Sequence, residues 1–311
     1  MPGGQFAYMA LPPPPTIEQL GAAFPEVSNL QHKATGGFKY VFQSTINGRT
    51  EAFKLLALPS VGKTDSEHAA RREYIGRAQR EIVLLGQCTA PELVKLGSLA
   101  PRVVAIGGID FLGYSEEFLI GESVQDFIDR VPKRPPPSER DAKQLFVSLL
   151  KAIKELWSKF ETVHRDIKPL NVVMLGQPGR PFVLLDLGIA YQTREPGLTI
   201  DPAIRPATLP YMAPEMLQLN FRQALDFRAD IYTAGMTTFE YATFTHALQY
   251  RPEDPHRTLS RVLRQAPTPL RSLRSEFSEP FCRLIDQTLK KSPPLRPSNL
   301  SAIIAKLEAE L

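Results

Sequence analysis

The stretch that most restricts what this chain can fold into is VHRDIKPLNVVML at residues 163–175. It gathers His164, Arg165, Asp166, Lys168 and Asn171 into one short loop and ends in a β-branched run. Upstream, Ser138 followed three residues on by Asp141 reads as a helix N-cap. Leu145, Leu149, Ile153 and Leu156 then recur at spacings of four and three, an apolar stripe on a helix ending near Phe160. Downstream, β-branched runs at 172–175 and 182–185 bracket the turn GQPGR. The second run leads into LLDLGIA, which sets Asp186 at the end of an apolar strand. A polar loop between a helix and a strand pair either satisfies its own backbone, as Asp and Asn do in turns, or presents converging groups for chemistry. Asn171 and Asp186 supply hard oxygen donors, which suit Mg²⁺ better than a soft transition metal.

Around this loop the chain changes character from one half to the other. Residues 30–58 alternate and are rich in Phe, Val, Tyr and Thr, with Asn47-Gly48 as a hairpin turn signal. A helix is expected across 66–87, with Ile75, Ala78, Ile82 and Leu85 on one face. PRVVAIGGIDFLGYSEEFLI then reads as two more strands, and from about residue 215 the pattern is helical with proline-containing loops. A small β-rich half with one main helix, followed by a larger α-rich half, is an α+β, bilobal arrangement with a cleft between. The LPPPP run at 11–15 suggests a proline-rich, flexible lead-in over 1–27, and residues 131–137 read as a connection within the fold.

Composition narrows the function classes. At 43% hydrophobic and 23% charged residues the chain resembles an ordinary globular protein, and no run approaches the roughly 20 apolar residues of a membrane span. The start has no basic segment and no long apolar core, so no secretory signal is expected. Cys88 and Cys282 are far apart, which argues against a disulfide scaffold or zinc cluster and for a reducing, cytoplasmic setting. The net charge of +4 is spread along the chain. It reads as a solvated surface or a phosphate-handling cleft, and nucleic-acid binding is not inferred. Nothing in the sequence indicates the oligomeric state.

Three further segments complete the pattern: ATLPYMAPEM at 207–216, RADIYTAGMTTFEY at 228–241 and PPLRPSN at 293–299. In this order and spacing the chain resembles the eukaryotic-type protein kinase superfamily, of the Ser/Thr kind, from about residue 30 to 308. The resemblance implies a kinase domain over 28–311, with an N-lobe at about 28–118 and a C-lobe at about 119–311. It implies transfer of the γ-phosphoryl group of ATP, with Mg²⁺ or Mn²⁺, to a Ser or Thr hydroxyl of a protein substrate, and autophosphorylation. Asp166 matches the aspartate that accepts or orients the hydroxyl proton, and Lys168 the lysine that touches the γ-phosphate. Asn171 and Asp186 match the two metal-holding positions.

Within the first half, Lys54 in EAFKLL matches the ATP-anchoring lysine, although a solvent-facing lysine on an alternating strand is the plain alternative. Its partner is taken as Glu81 rather than Glu73. The two glutamates lie about 80° apart around a helix, so both cannot face one side equally. In ATGGFKYVF (34–42), Ala34, Gly36, Gly37, Lys39 and Val41 fall in the nucleotide-covering region. Lys39 there either adds a charge near the phosphates or faces solvent. Glu117 to Leu119 matches the hinge that meets adenine, which makes Ser115 or Glu116 an unusually polar guard of the pocket behind it. Thr193, Thr199 and Thr208 lie in the matching activation segment, with Arg165 as the expected phosphate partner. The first two read equally well as ordinary loop hydroxyls. Glu215 and Arg296 match a supporting ion pair, and Asp230 a helix residue that braces the loop.

The sequence departs from the pattern where Ala34 and Lys39 stand for glycines and where the metal-binding triplet reads Asp-Leu-Gly. The change to Leu in the triplet leaves the metal ligand intact, and the loop departures alone keep a second hypothesis open, a nucleotide-binding pseudokinase that acts as a scaffold. A small-molecule kinase of related fold is a third, and it would generally lack the ATLPYMAPE segment.

Overall fold

A computed structural model describes residues 12–35, 39–58, 65–130, 135–187, 191–192, 209–217, 225–250 and 254–311. The chain divides into two compact units. One is drawn from residues 1–87 with 94–119, the other from 88–93 with 120–311.

The first unit is organised by its hairpin. Asn47 and Gly48 both take positive φ, at 50° and 76°, as a two-residue primed turn requires. They join β2 (Lys39–Ile46) to β3 (Arg49–Ala57) in unbroken antiparallel register. With β1 (Val27–Thr35), β4 (Arg102–Ile106) and β5 (Ile109–Glu117) these form a sheet of order β1-β2-β3-β5-β4. Its alternation buries Phe42, Ile46, Phe53, Leu55 and Phe111 in one apolar cluster. The expected main helix is α2 (Asp65–Gln87).

Part of the expected flexible lead-in is folded. Thr16 and Gln19 form a reciprocal capping box that starts helix α1 (Ile17–Ala23). Leu20 and Phe24, one helical turn apart, are fully buried in the sheet's cluster. The Phe24 ring lies so close over Gly113 that a Cβ there would meet it at 2.4 Å. Arg102 stacks on the same ring at 4.7 Å and pairs with Glu26 through both guanidinium nitrogens. Burial of Leu20 and Phe24 outweighs the disorder that the proline run suggests.

The second unit is built on α4 (Glu139–Phe160), whose Ser138–Asp141 capping box matches the sequence reading. The apolar stripe Leu145, Leu149, Ile153 and Leu156 is buried. After β6 (Glu122–Ser123) and α3 (Val124–Asp129) come β7 (Thr162–Val163), β8 (Val172–Gln177), β9 (Arg180–Leu184) and β10 (Tyr191–Gln192). These make the small sheets β6-β8-β9 and β10-β7. Helix α5 (Arg228–Thr243) is buried over most of its length. Helices α6 (Pro255–Arg264), α7 (Glu279–Thr288) and α8 (Leu300–Glu308) follow.

The stretch 88–93 belongs to this unit although the residues on both sides of it do not. The buried Glu155 on α4 accepts the amide and hydroxyl of Thr89 and the amide of Ala90. Arg180 donates to the carbonyls of Pro91 and Leu93, and Leu184 to that of Glu92. No helix among the described residues is long and apolar enough to cross a membrane.

Candidate active site

The loop at 163–171 is shaped by a buried carboxylate. Asp230, on the first turn of α5, is fully buried and accepts the amide of His164 at 2.7 Å and that of Arg165 at 2.9 Å. This pair of bonds holds Arg165 at φ +72°, a conformation that a non-glycine residue adopts only under such constraint. Burial pushes Asp230 up to about 7, while the two amides and Arg165 pull the other way. His164 is equally buried, and loss of solvent depresses its pKa. Its Nδ1 accepts from the Asp166 amide at 3.2 Å and its Nε2 meets the Leu185 carbonyl at 3.1 Å. That pattern fixes a neutral ring with the proton on Nε2.

The turn so built delivers Asp166 into a ring of donors. Lys168 Nζ reaches both carboxylate oxygens, at 2.8 and 3.0 Å. Asn171 Nδ2 donates to the Asp166 carbonyl at 2.8 Å and to its Oδ2 at 2.9 Å. All three side chains are less than a tenth exposed. With its nitrogen committed to Asp166, Asn171 has its amide oxygen left for a ligand. The Asn171 backbone carbonyl accepts the amide of Leu185, tying the loop to the segment that carries Asp186. Asp186 is half-buried with φ +64°. Among the described residues no cluster of three or more His, Cys, Asp or Glu is arranged to hold a metal. An amide oxygen and one carboxylate nevertheless fit a Mg²⁺ that keeps water and phosphate ligands, the usual state of that ion.

In the first unit, Ala34, Val41, Lys54 and Tyr114 form one cross-strand row through consecutive register pairs, which sets them on one face of the sheet. Phe53 and Leu55 point to the apolar cluster behind, so Lys54 lies on the other face and is buried there. Of the two candidate glutamates, Glu81 is buried and its carboxylate lies 3.8 Å from Lys54 Nζ. The Glu73 side chain, with Gly36, Gly37, Thr193, Thr199 and Thr208, lies outside the described residues. Lys39 opens β2 opposite Leu56, half-buried. Glu117 ends β5, where its amide donates to the Lys95 carbonyl and its carboxylate accepts the Lys95 amide; Leu119 is half-buried.

Glu215 and Arg296 form a buried bidentate pair at 2.6 and 2.7 Å. Arg296 also donates to the carbonyls of Arg228, Lys290 and Lys291.

Two contacts go beyond the sequence reading, which offered Glu116 only as an alternative guard of the pocket behind the hinge. Glu116 on β5 hydrogen-bonds directly to Lys54. Tyr211 donates to Glu240 at 2.6 Å, and burial raises the Glu240 carboxyl to about 7. Only Glu116's place one residue from the strand end, among polar neighbours, hinted at the first contact. Nothing local announced the second.

A sheet that buries a lysine beside a helix glutamate, and a helical unit that braces a His-Arg-Asp loop against an asparagine, define the protein kinase class. The chain belongs to that family: the family's protein kinase domain matches residues 35–307. Among curated relatives, the dual specificity mitogen-activated protein kinase kinase mek-1 of Caenorhabditis elegans is 34% identical over 166 residues, covering 53% of this chain and 45% of the relative. Mitogen-activated protein kinase kinase 3 of Arabidopsis thaliana is 31% identical over 188 residues, 58% and 32% of the two chains. Serine/threonine-protein kinase A of Synechocystis is 30% identical over 201 residues, 63% and 38%. The chain thus spans a third to a half of the length of these relatives.

Proposed function

We propose that this chain transfers the γ-phosphoryl group of ATP to a Ser or Thr hydroxyl of a protein substrate, and to hydroxyls of its own activation segment such as Thr193 or Thr199. One observation carries the reading: Asp166 is held rigidly by Lys168 and Asn171 on a loop whose backbone is braced by Asp230.

Each residue then has a part. Asp166 takes or orients the proton of the acceptor hydroxyl, a role that needs a fixed carboxylate rather than a mobile one. Lys168 balances charge beside it and meets the transferring phosphate. Lys54, with Glu81, anchors the phosphates, under the loop of Ala34, Gly36, Gly37, Lys39 and Val41. Backbone groups from Glu117 to Leu119 meet the adenine. Asn171 and Asp186 would hold Mg²⁺ or Mn²⁺, which when bound neutralises charge on the β- and γ-phosphates. Thr208 would meet the acceptor, as the family pattern implies, and the Glu215–Arg296 pair would support the activation segment.

The test is transfer of radiolabel from ATP with Mg²⁺ or Mn²⁺ to a mixed protein acceptor, comparing wild type with Asp166→Ala and Asp186→Ala. Wild type should exceed both by about 10²–10⁴-fold. Equal incorporation by all three would sink the reading and leave a nucleotide-binding scaffold. The relatives carry both dual-specificity and Ser/Thr names, so phosphoamino-acid analysis of the product decides the acceptor.

A further inference from the structure

We infer, on the reading of Lys54 as the phosphate anchor, that Glu116 is a second positioning residue that holds this lysine from the sheet, alongside Glu81 on helix α2. Lys54, Glu81 and Glu116 are each at most 5% exposed. Glu116 Oε1 accepts a hydrogen bond from Lys54 Nζ, whereas Glu81 stands at 3.8 Å, beyond hydrogen-bond length. The Tyr114 ring lies 5.7 Å from the same ammonium.

The geometry follows from register. β3 and β5 pair without a bulge from Glu51↔Glu117 to Ala57↔Phe111, with Lys54 opposite Tyr114 and Ala52 opposite Glu116. Side chains two apart share a face, so Glu116 is the diagonal neighbour of Lys54, within reach of two long side chains. Backbone hydrogen bonds fix that relation. Glu81 reaches the lysine only from a helix that packs through side chains, so any shift of α2 changes its distance and leaves the Glu116 contact intact.

The charge count points the same way. Burying a carboxylate without a partner is strongly unfavourable, and an apolar residue would suit a β5 whose Leu112 and Tyr114 are buried. Glu81 alone would neutralise Lys54. Of the two acids at this ammonium, Glu116 makes the direct, charge-assisted contact, the stronger of the two.

The test measures the Kd of a fluorescent ATP analogue, with KM for ATP and kcat alongside, for Glu116→Gln and Glu81→Gln, each also combined with Lys54→Met. Glu116→Gln is expected to weaken binding and raise KM about tenfold with kcat within threefold, and Glu81→Gln to weaken binding too, but by clearly less than Glu116→Gln. In the Lys54→Met background Glu116→Gln should change Kd by less than twofold, because its effect runs through the lysine. Glu116→Met fills the volume without charge and must give the same order, with thermal melts showing which variants are folded. The inference is overturned if Glu81→Gln loses as much as Glu116→Gln, if Glu116→Gln tightens binding, or if its loss persists without Lys54. Absence of nucleotide binding by wild type overturns the kinase reading as well, so the two failures are distinct.

Discussion

Asp230 offers a quantitative check, because its burial and its two amide bonds oppose each other. Its carboxyl is raised from 3.8 to about 7 in the folded protein. The folded state therefore binds the proton more tightly than the unfolded chain, and stability falls as pH rises from the unfolded value towards the folded one. Above about pH 8 both states are ionised and this group's contribution is flat. Between pH 5 and pH 8 the difference amounts to about 3 kcal/mol, at about 1.4 kcal/mol for each unit. Asp230→Asn resembles the protonated form: it keeps one acceptor, cannot ionise, and loses this pH dependence. Urea unfolding of both proteins at pH 5, 6, 7 and 8 isolates the group, since other titrations cancel in the difference. Wild type should lose about 3 kcal/mol relative to the variant across that range. A difference flat within 1 kcal/mol would refute the assigned balance of burial against hydrogen bonding. The variant also leaves the His164 and Arg165 amides one acceptor short, so its transfer rate should fall about tenfold to a hundredfold through misplacement of Asp166.

Two further outcomes follow from packing. Glu215→Ala should destabilise the second unit by about 3–5 kcal/mol, because Arg296 is left buried without its carboxylate, whereas the double change to Glu215→Met and Arg296→Met should recover much of the loss; differential scanning calorimetry reads both. Phe24→Ala should cost about 3–5 kcal/mol and lower the first unit's unfolding temperature, measurable by hydrogen exchange in β1 and β4, and no loss would mean that α1 does not support the sheet.

The loop at 163–171 was legible in sequence because its chemistry is local: five polar residues at fixed offsets between a strong helix and a strand. The hairpin at Asn47-Gly48 was legible for the same reason, since positive φ has few suppliers. Helix α1 was misread although Thr16 and Gln19 spell a capping box. The neighbouring prolines suggested disorder, and the burial of Leu20 and Phe24 depends on residues well along the chain, from Phe53 to Gly113. Spacing said only that Glu73 and Glu81 cannot both face one side; the choice of Glu81 came from the resemblance of REIVLL to the end of the family's helix. Glu116 could not be reached that way. Its meaning depends on the register between β3 and β5, and a strand's own alternation says which face a residue occupies, never which neighbour it meets.

The six residues at 88–93 bear on how the chain becomes folded at all. They are held by groups between 65 and 89 positions further along, from Glu155 and from Arg180. During synthesis this stretch emerges long before its partners, while β4 and β5 of the first unit are still to come. The first unit is thus interrupted by a segment whose amides and carbonyls find their places only when the second unit is made. A fragment ending at residue 119 would carry that segment with its binding groups missing, so the shortest piece expected to fold cleanly extends past β9. Chain connectivity thus threads a piece of the second unit through the sequence of the first, and the order of translation delays its placement until the second unit is made.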